Sequence, residues 1–324
     1  MYWNPNKTLS YNKLFNFIVG SRGGGKSFGA KDLCIRRFLK KQSQFVYMRR
    51  YENELKLNTD LWRDIKKFYP DTEFRQKGGN YYIDNQLAGN SFALSTSDKY
   101  KSVSYEGTEI IIFDEFMVDN NRSGYLPKEV LKFLDAYETI ARTRDVRVFF
   151  ISNALTEMNP YFTYFNVKLP NKPGFNIYDD ILVERVEDGD YIAFKEQTRF
   201  GKIIANTEYF EYAVKNEYLL DSSTFIERKT GNCQCKAVIR STLGEFGVWQ
   251  NEEYICYISE DTAKTWVVIS VDMNAHKEGT QTIKSELGRS FWSWLVERYN
   301  KGLVRFENQK CKQMFCEVYG RALT

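Results

Sequence analysis

Residues 15–27, FNFIVGSRGGGKS, decide the fold of this chain. An apolar, strand-like run, Phe15–Val19, leads into a glycine-rich loop, and a pattern typical of a helix follows Ser27. The loop, Gly20–Ser27, matches G-x-x-x-x-G-K-S/T, the phosphate-binding motif of P-loop NTPases. Because strand, loop and helix follow one another in the order that the motif requires, the chain is predicted to bind a nucleoside triphosphate.

The residue types in the loop suit the chemistry of phosphate binding. Glycines let backbone N–H groups approach the phosphates, and the following helix points the positive end of its dipole at them. Lys26 supplies a mobile charge to the β- and γ-phosphates, and the Ser27 hydroxyl is placed to ligate Mg²⁺. The predicted nucleotide-binding residues are Gly20, Ser21, Arg22, Gly23, Gly24, Gly25, Lys26 and Ser27.

A second motif follows the apolar run Ile110–Phe113, which predicts a buried central strand. Asp114 and Glu115 come directly after it, at the carboxyl end of the strand, where open α/β sheets bind their ligands. Asp114 is the expected partner for the Mg²⁺ held by Ser27, and Glu115 fits a base that polarises the attacking water. The alternative is an ordinary solvated strand end.

Polar residues near two further strand ends are weaker candidates. Arg142 and Arg144 could supply an arginine finger, which is worth about 10³–10⁵ in rate, although loop arginines are more often solvated or paired with an acid. Ser152 and Asn153 either sense the γ-phosphate or form a simple turn. Another pair, Arg49-Arg50, ends a further strand and could contact phosphate, adenine or a neighbouring subunit.

Composition narrows the class of protein. Six scattered cysteines and a single histidine, His276, argue against a disulfide framework, a zinc site and histidine-based catalysis. No run approaches the ~20 apolar residues of a membrane span, and the first residues do not resemble a secretory signal, so we expect a cytoplasmic protein. Residues 1–50 contain eleven Lys/Arg and one acid, Asp32, a bias that suits a polyanion.

The order of elements predicts two domains. Strands alternate with helices in the first half, one of them within Glu52–Tyr69, which indicates a parallel α/β sheet with helices on both faces. The pattern then turns strand-rich, beginning with a strand over Phe162–Leu169. We place a P-loop ATPase domain at residues 1–197, a connector at 198–221 and a smaller α+β domain at 222–324.

Five segments, taken in order, resemble the genome-packaging ATPases of small podophages, which are relatives of large terminases. They are YNKLFNFIVGSRGGGKS, QFVYMRRYENEL, IIIFDEF, ETIARTR and FISNALTEMNPYF, and the resemblance covers residues 8–210 well. It implies an ASCE-type motor that uses ATP and Mg²⁺ to drive double-stranded DNA into an empty capsid. The motor would be a homo-oligomeric ring, a pentamer, on the portal. Its place would be the host cytoplasm and, transiently, the procapsid.

The resemblance also implies roles for residues. It places a finger that acts on the neighbouring subunit at Arg142, with Arg144 as the fallback, and a second interface cation at Lys101. Gly20–Ser27, Asp114 and Glu115 carry over as nucleotide, Mg²⁺ and catalytic positions. The pair Ser152-Asn153 carries over as a coupling segment. Relatives also dock on a packaging RNA, and the motifs leave open whether this chain does.

Large terminases carry an RNase H-like nuclease at the carboxyl terminus, and its two metals require clustered acids on strands. In the corresponding region the early strands hold only Glu245, and Asp272 is the one further candidate ligand. We therefore expect an RNase H-like fold without nuclease activity.

Two other functions are open on the sequence. A P-loop helicase or remodelling ATPase would use exposed aromatics such as Trp62, Tyr81 or Tyr82 to stack single-stranded bases. A nucleotide-binding scaffold without turnover is the third class, and a glutamate at position 115, next to Asp114, argues against it.

Overall fold

The computed structural model has the strand and the helix of the first motif at Phe15–Gly20 and Lys26–Lys41, joined by the glycine-rich loop. The model describes residues 3–57, 60–100, 103–118, 124–153, 159–170, 172–186, 189–205, 207 and 225–322. The chain separates into two units, Met1–Leu219 and Leu220–Thr324.

The elements of the first unit follow the alternating order that the sequence indicates. They are α1 (Pro5–Ser10), β1 (Phe15–Gly20), α2 (Lys26–Lys41), β2 (Gln44–Arg49), α3 (Glu52–Leu57), β3 (Phe74–Lys77), β4 (Asn80–Ile83), β5 (Gln86–Ala93), β6 (Thr108–Asp114), α4 (Glu129–Ala141), β7 (Arg147–Asn153), α5 (Pro160–Phe165), β8 (Gly174–Ile177), β9 (Ile181–Arg185), α6 (Gly189–Gln197) and α7 (Arg199–Ile204).

Within the described ranges, nine strands of this unit form one sheet, in the order β3-β4-β5-β2-β6-β7-β1-β9-β8. Its six central strands, from β5 to β9, are parallel, and antiparallel hairpins close both edges. Gly20 pairs with Asn153, and Asp114 pairs with Ile151. The carboxyl ends of β1, β6 and β7 therefore meet at one edge of the sheet.

The sheet is buried on both faces, as expected of parallel strands. Along β1, Phe17 contributes to the core on the side of α4, and Ile18 contributes to the core on the side of α2. Both are fully buried. The prediction of a P-loop α/β sheet covered by helices on both faces is confirmed.

One local prediction is wrong, and another is confirmed only over a shorter helix. The segment predicted as a strand over Phe162–Leu169 begins with helix α5, because the Asn159 side chain accepts from the Phe162 N–H and Pro160 occupies the first turn. Only α3 and a 3₁₀ turn at Lys66–Phe68 are helical among the described residues of Glu52–Tyr69.

The second unit has its own sheet and core. Its elements are β10 (Gln234–Ser241), β11 (Gly244–Gln250), β12 (Cys256–Ser259), β13 (Val268–Ser270), β14 (Gln281–Thr282), α8 (Glu286–Asn300), β15 (Val304–Phe306) and α9 (Gln309–Ala322). The strand order is β14-β13-β10-β11-β12-β15. Strands β10, β11 and β12 are antiparallel to their neighbours among these three. On the other side of β10, β13 runs parallel to β10 and β14 runs parallel to β13. This is the order of an RNase H-like sheet, with β15 as an extra edge strand.

Candidate nucleotide-binding site

The glycine-rich loop connects β1 to α2 in conformations that favour glycine. Gly23 and Gly25 have φ of +93° and +77°, values that residues with a side chain rarely adopt. The Lys26 side chain folds back over the loop and is 5% exposed. Its ammonium donates to the carbonyl oxygens of Gly20 at 3.0 Å and Ser21 at 2.6 Å. The loop backbone therefore fixes the position of the predicted phosphate ligand.

Asp114 ends β6 directly beside the loop. The Ser27 hydroxyl donates to its Oδ1 at 3.0 Å, and the Tyr47 hydroxyl donates to its Oδ2 at 2.9 Å. Burial raises the pKa of Tyr47, and the charge of Asp114 raises it further, so Tyr47 keeps its proton and acts as a donor. The structure thus brings the two predicted Mg²⁺ ligands together and holds the carboxylate from both sides.

Glu115, the predicted base, has a cationic partner. Its Oε2 lies 2.7 Å from a terminal nitrogen of Arg49, the last residue of β2, and its side chain is 53% exposed. The φ angle of Glu115 is +58°. Such a conformation costs a residue with a side chain roughly 1–3 kcal/mol and persists only where the surroundings impose it.

A cleft of about 810 Å³ joins these residues, a size that suits a small ligand. The residues that line it from the motifs are Arg22, Gly23, Gly25, Lys26, Ser27, Asp114, Glu115, Ser152 and Asn153. Its outer wall continues along α2 and the 64–69 segment through Phe28, Asp32, Arg36, Asp64, Lys67, Phe68 and Tyr69. The two predicted motifs and the strand end at Ser152 therefore share one cavity.

The two candidate finger arginines have different surroundings. Arg144 donates to backbone carbonyl oxygens at 2.6–2.8 Å, those of Tyr105, Glu106, Thr108 and Ile140. Arg142 lies at the end of α4 with φ +53°, and it is exposed. The guanidinium of Arg144 thus fastens the segment before β6 to α4. Lys101 lies outside the described residues.

Arg50 does not lie at the surface, contrary to the suggestion that it could contact phosphate or another subunit. Its side chain is 4% exposed and pairs with Glu129. Two of the aromatics considered as stacking platforms are also buried, since Trp62 is 1% and Tyr81 is 2% exposed. These two therefore present no surface for single-stranded bases.

Two residues that contact the loop belong to no sequence motif. The backbone N–H of Trp3 donates to the carbonyl of Gly24 at 2.9 Å, while its indole donates to Glu184. Tyr191, on α6, lies so close to Gly23 that a Cβ built there would be 2.4 Å from its ring. Tyr47, which holds Asp114, also belongs to no motif, but its position could have been predicted. Alternate residues of β2 share a face, so Tyr47 lies on the same face as Phe45. No local pattern identifies Trp3 or Tyr191, since tertiary packing sets both contacts.

In the second unit, the candidate acids are each engaged. Asp272 accepts from the Thr242 N–H at 3.0 Å, and Glu245 pairs with Arg240 at 2.8 Å. Over the described part of the chain, no group of three or more His, Cys, Asp or Glu residues is arranged to hold a metal ion. No helix in the same ranges is long and apolar enough to cross a membrane.

Comparisons with known proteins agree with one another. The family model described as Podovirus DNA encapsidation protein (Gp16) matches residues 1–323. The DNA packaging protein of Bacillus phage phi29 is 34% identical over 325 residues, which cover 98% of this chain and 97% of that protein. The corresponding protein of Bacillus phage B103 is 34% identical over 314 residues and covers 96% and 98%.

Solved structures give the same result. A chain of the bacteriophage Phi-29 viral genome packaging motor assembly aligns with a TM-score of 0.81 at 33% identity, covering 98% of both chains. The N-terminal domain of the DNA packaging ATPase from bacteriophage phi29 aligns with a TM-score of 0.55 at 41% identity. That alignment covers 58% of this chain and 96% of the domain.

The packing of Tyr191 on the loop can be tested at Gly23. We expect Gly23→Ala to lower the free energy of unfolding by about 1–3 kcal/mol through backbone strain, with an added steric cost from the ring. Gly78→Ala is the matched control, because Gly78 has φ +59° and nothing within 4 Å of its Cβ position. Urea unfolding measures both.

Adding Tyr191→Ala to Gly23→Ala should remove most of the excess cost over the Gly78 control. Equal costs for the two single alanine variants would contradict the contact.

Proposed function

Because this chain belongs to the Podovirus DNA encapsidation protein (Gp16) family, we propose that its P-loop cleft hydrolyses ATP to drive double-stranded DNA into a capsid. The chain packages DNA, and its ATPase activity supplies the energy for packaging. The main support for placing the ATPase site in this cleft is the 3.0 Å hydrogen bond from the Ser27 hydroxyl to the Asp114 carboxylate. It joins the two motifs beside Lys26 and Glu115, where phosphate, metal and water would have to meet.

The residues at this point fit Mg²⁺. A hydroxyl and a carboxylate oxygen 3.0 Å apart are the hard oxygen donors that Mg²⁺ prefers, and waters and phosphate oxygens complete such sites. When bound, the ion neutralises charge on the β- and γ-phosphates. Tyr47 holds the other Asp114 oxygen at 2.9 Å, so the carboxylate is oriented before any ligand arrives.

The protein groups must rearrange for hydrolysis. Lys26 exchanges the carbonyl oxygens of Gly20 and Ser21 for phosphate oxygens. Glu115 turns from Arg49 to a water in line with the γ-phosphate and polarises it. Glu115 lines the cleft and its side chain is half exposed, so the carboxylate has room to exchange the two partners.

We assign the trans-acting finger to Arg142 and not to Arg144. Arg144 already donates to four carbonyl oxygens, and removing it would detach the segment before β6 from α4. Arg142 is exposed at the end of a 13-residue helix, so it could reach a site on another subunit. This assignment requires a ring, and the resemblance favours five subunits. Lys101 is the proposed second interface cation, and Ser152 with Asn153 the γ-phosphate sensor.

We also propose binding partners and a division into domains. The ring docks on the portal of the empty capsid in the host cytoplasm, and a packaging RNA is a candidate docking partner. The domain division proposed is 1–197, 198–221 and 222–324, and residues 206 and 208–224, around its second boundary, lie outside the described part. The second domain serves docking or DNA contact and not cleavage, which the separate engagement of Asp272 and Glu245 supports.

The role of the base is tested by Glu115→Gln. The amide cannot accept a proton, so this variant should bind an ATP analogue normally but hydrolyse ATP about 10²–10⁴-fold more slowly. Glu54→Gln is the matched control, because Glu54 also contacts Arg49, at 3.5 Å, and does not line the cleft. Normal phosphate release by Glu115→Gln would remove the assignment.

The finger is tested by mixing subunits. Arg142→Ala chains titrated into wild-type motors should depress DNA-stimulated ATP hydrolysis more steeply than their fraction, since each one disables its neighbour's site. Lys132→Ala, a loss of charge near the other end of α4, should have little effect. A loss strictly proportional to the fraction of Arg142→Ala chains would count against a shared site.

The absence of nuclease activity is tested with supercoiled plasmid in Mg²⁺ or Mn²⁺. We expect the wild-type chain and Asp272→Ala to leave the plasmid equally intact, because two-metal cleavage needs several clustered carboxylates. Nicking by the wild type that Asp272→Ala abolishes would overturn this part of the proposal.

A further inference from the structure

A fully buried ion pair lies directly behind the predicted base. Arg50 follows β2, and Glu129 is the first residue of α4. The guanidinium Nε lies 2.8 Å from Glu129 Oε2, and one Nη lies 2.9 Å from Oε1, which is a bidentate geometry. The side chains are 4% and 1% exposed. The pair therefore lies in the interior of the first unit, and neither residue lines the cleft.

The same guanidinium holds the backbone that carries the base. One terminal nitrogen of Arg50 donates to the carbonyl oxygen of Glu115 at 3.1 Å, and the other donates to that of Phe116 at 2.5 Å. Glu115 has φ +58°, a conformation that needs support from its surroundings. These two hydrogen bonds grip the chain at the residue with that conformation and at the one after it.

Glu129 is fixed in turn. Its Oε1 accepts from the Tyr161 hydroxyl at 2.9 Å, and its Oε2 accepts from the Leu126 N–H at 2.7 Å. The guanidinium also lies 5.0 Å from the centre of the Tyr125 ring. Arg50 thus cannot move without breaking contacts to α4 and to the segment that leads into α4, and Glu129 connects the pair to α5.

Stability alone does not account for this arrangement. Desolvating two charges costs as much as their attraction returns, and apolar replacements of buried ion pairs are often neutral or stabilising. What an apolar pair could not do is donate two hydrogen bonds to the carbonyl groups of residues 115 and 116. The function of the pair therefore lies at that backbone.

We propose that Arg50, locked by Glu129, is a positioning residue that holds Glu115 in its left-handed conformation, so that the carboxylate faces the cleft. This inference rests on the proposed ATPase site. It adds a residue that touches neither nucleotide nor water and acts only through the base.

The test is Arg50→Lys. Lysine keeps the charge beside Glu129, but one ammonium cannot span both carboxylate oxygens and two carbonyl groups. We expect unchanged affinity for an ATP analogue and an unchanged KM, with kcat lower by about 100-fold or more, as for loss of a general base. Arg37→Lys, which makes the same change in the Arg37–Glu109 pair, should leave kcat unchanged.

A second variant covers the case in which the lysine is not tolerated. Arg50→Met, Glu129→Leu and Tyr161→Phe together remove the buried charges, so a folded chain with low kcat and normal nucleotide affinity is again expected. Wild-type kcat in either folded variant would overturn the proposal. So would unfolding of both, which would make the pair a purely structural element.

Glu115→Gln separates this inference from the proposed function. If that variant hydrolyses ATP normally, the base assignment is at fault and the ATPase site must be revised. If it is inactive while Arg50→Lys is fully active, the ATPase site stands and only the positioning role fails.

Discussion

The hydrogen bond between Ser27 and Asp114 depends on the register of three parallel strands. Ser27 belongs to the helix after β1, Asp114 ends β6, and β7 lies between the two strands. A slip of one residue along β6 would turn Asp114 to the other face of the sheet. The slip is prevented because alternate residues are buried on opposite sides, such as Ile112 on one face and Phe113 on the other. Packing on both faces thus sets the geometry of the site.

The basic bias of the first fifty residues has a partly internal explanation, because five of the eleven Lys/Arg residues pair with acids from later in the chain. Arg37 and Lys41 pair with Glu109, and Lys31 pairs with Asp64. Arg49 and Arg50 likewise pair with acids on later segments. A count over a window of sequence cannot register partners that arrive from elsewhere in the chain. The bias is therefore weaker support for DNA contact than it looks in the sequence, and DNA binding rests on the family.

The parts of the site that could be predicted are those fixed by local chemistry. Two motifs can be recognised from neighbouring residues alone. They are the glycine-rich loop between a strand and a helix, and the acids that follow an apolar strand. The different surroundings of Arg142 and Arg144 could not be predicted from the local pattern, because two residues in one turn differ only in which segments pack against them. Helix α5 could have been predicted, because an asparagine followed by Pro160 is a typical helix start. The aromatic residues that follow favour a strand, and they led to the wrong prediction.

The adjacent arginines at the end of β2 divide the control of Glu115 between them. Successive residues point to opposite sides of an extended chain, so Arg49 reaches the Glu115 carboxylate and Arg50 reaches Glu129 in the interior. Arg49 is 16% exposed and contacts the carboxylate, which is 53% exposed, so water can replace Arg49 as the partner of the carboxylate. Arg50 contacts the backbone, where loss of one partner would leave a buried charge unpaired. The carboxylate can therefore exchange partners at small cost while its backbone stays in place, which is what a base needs when it must meet a water only after the nucleotide has bound.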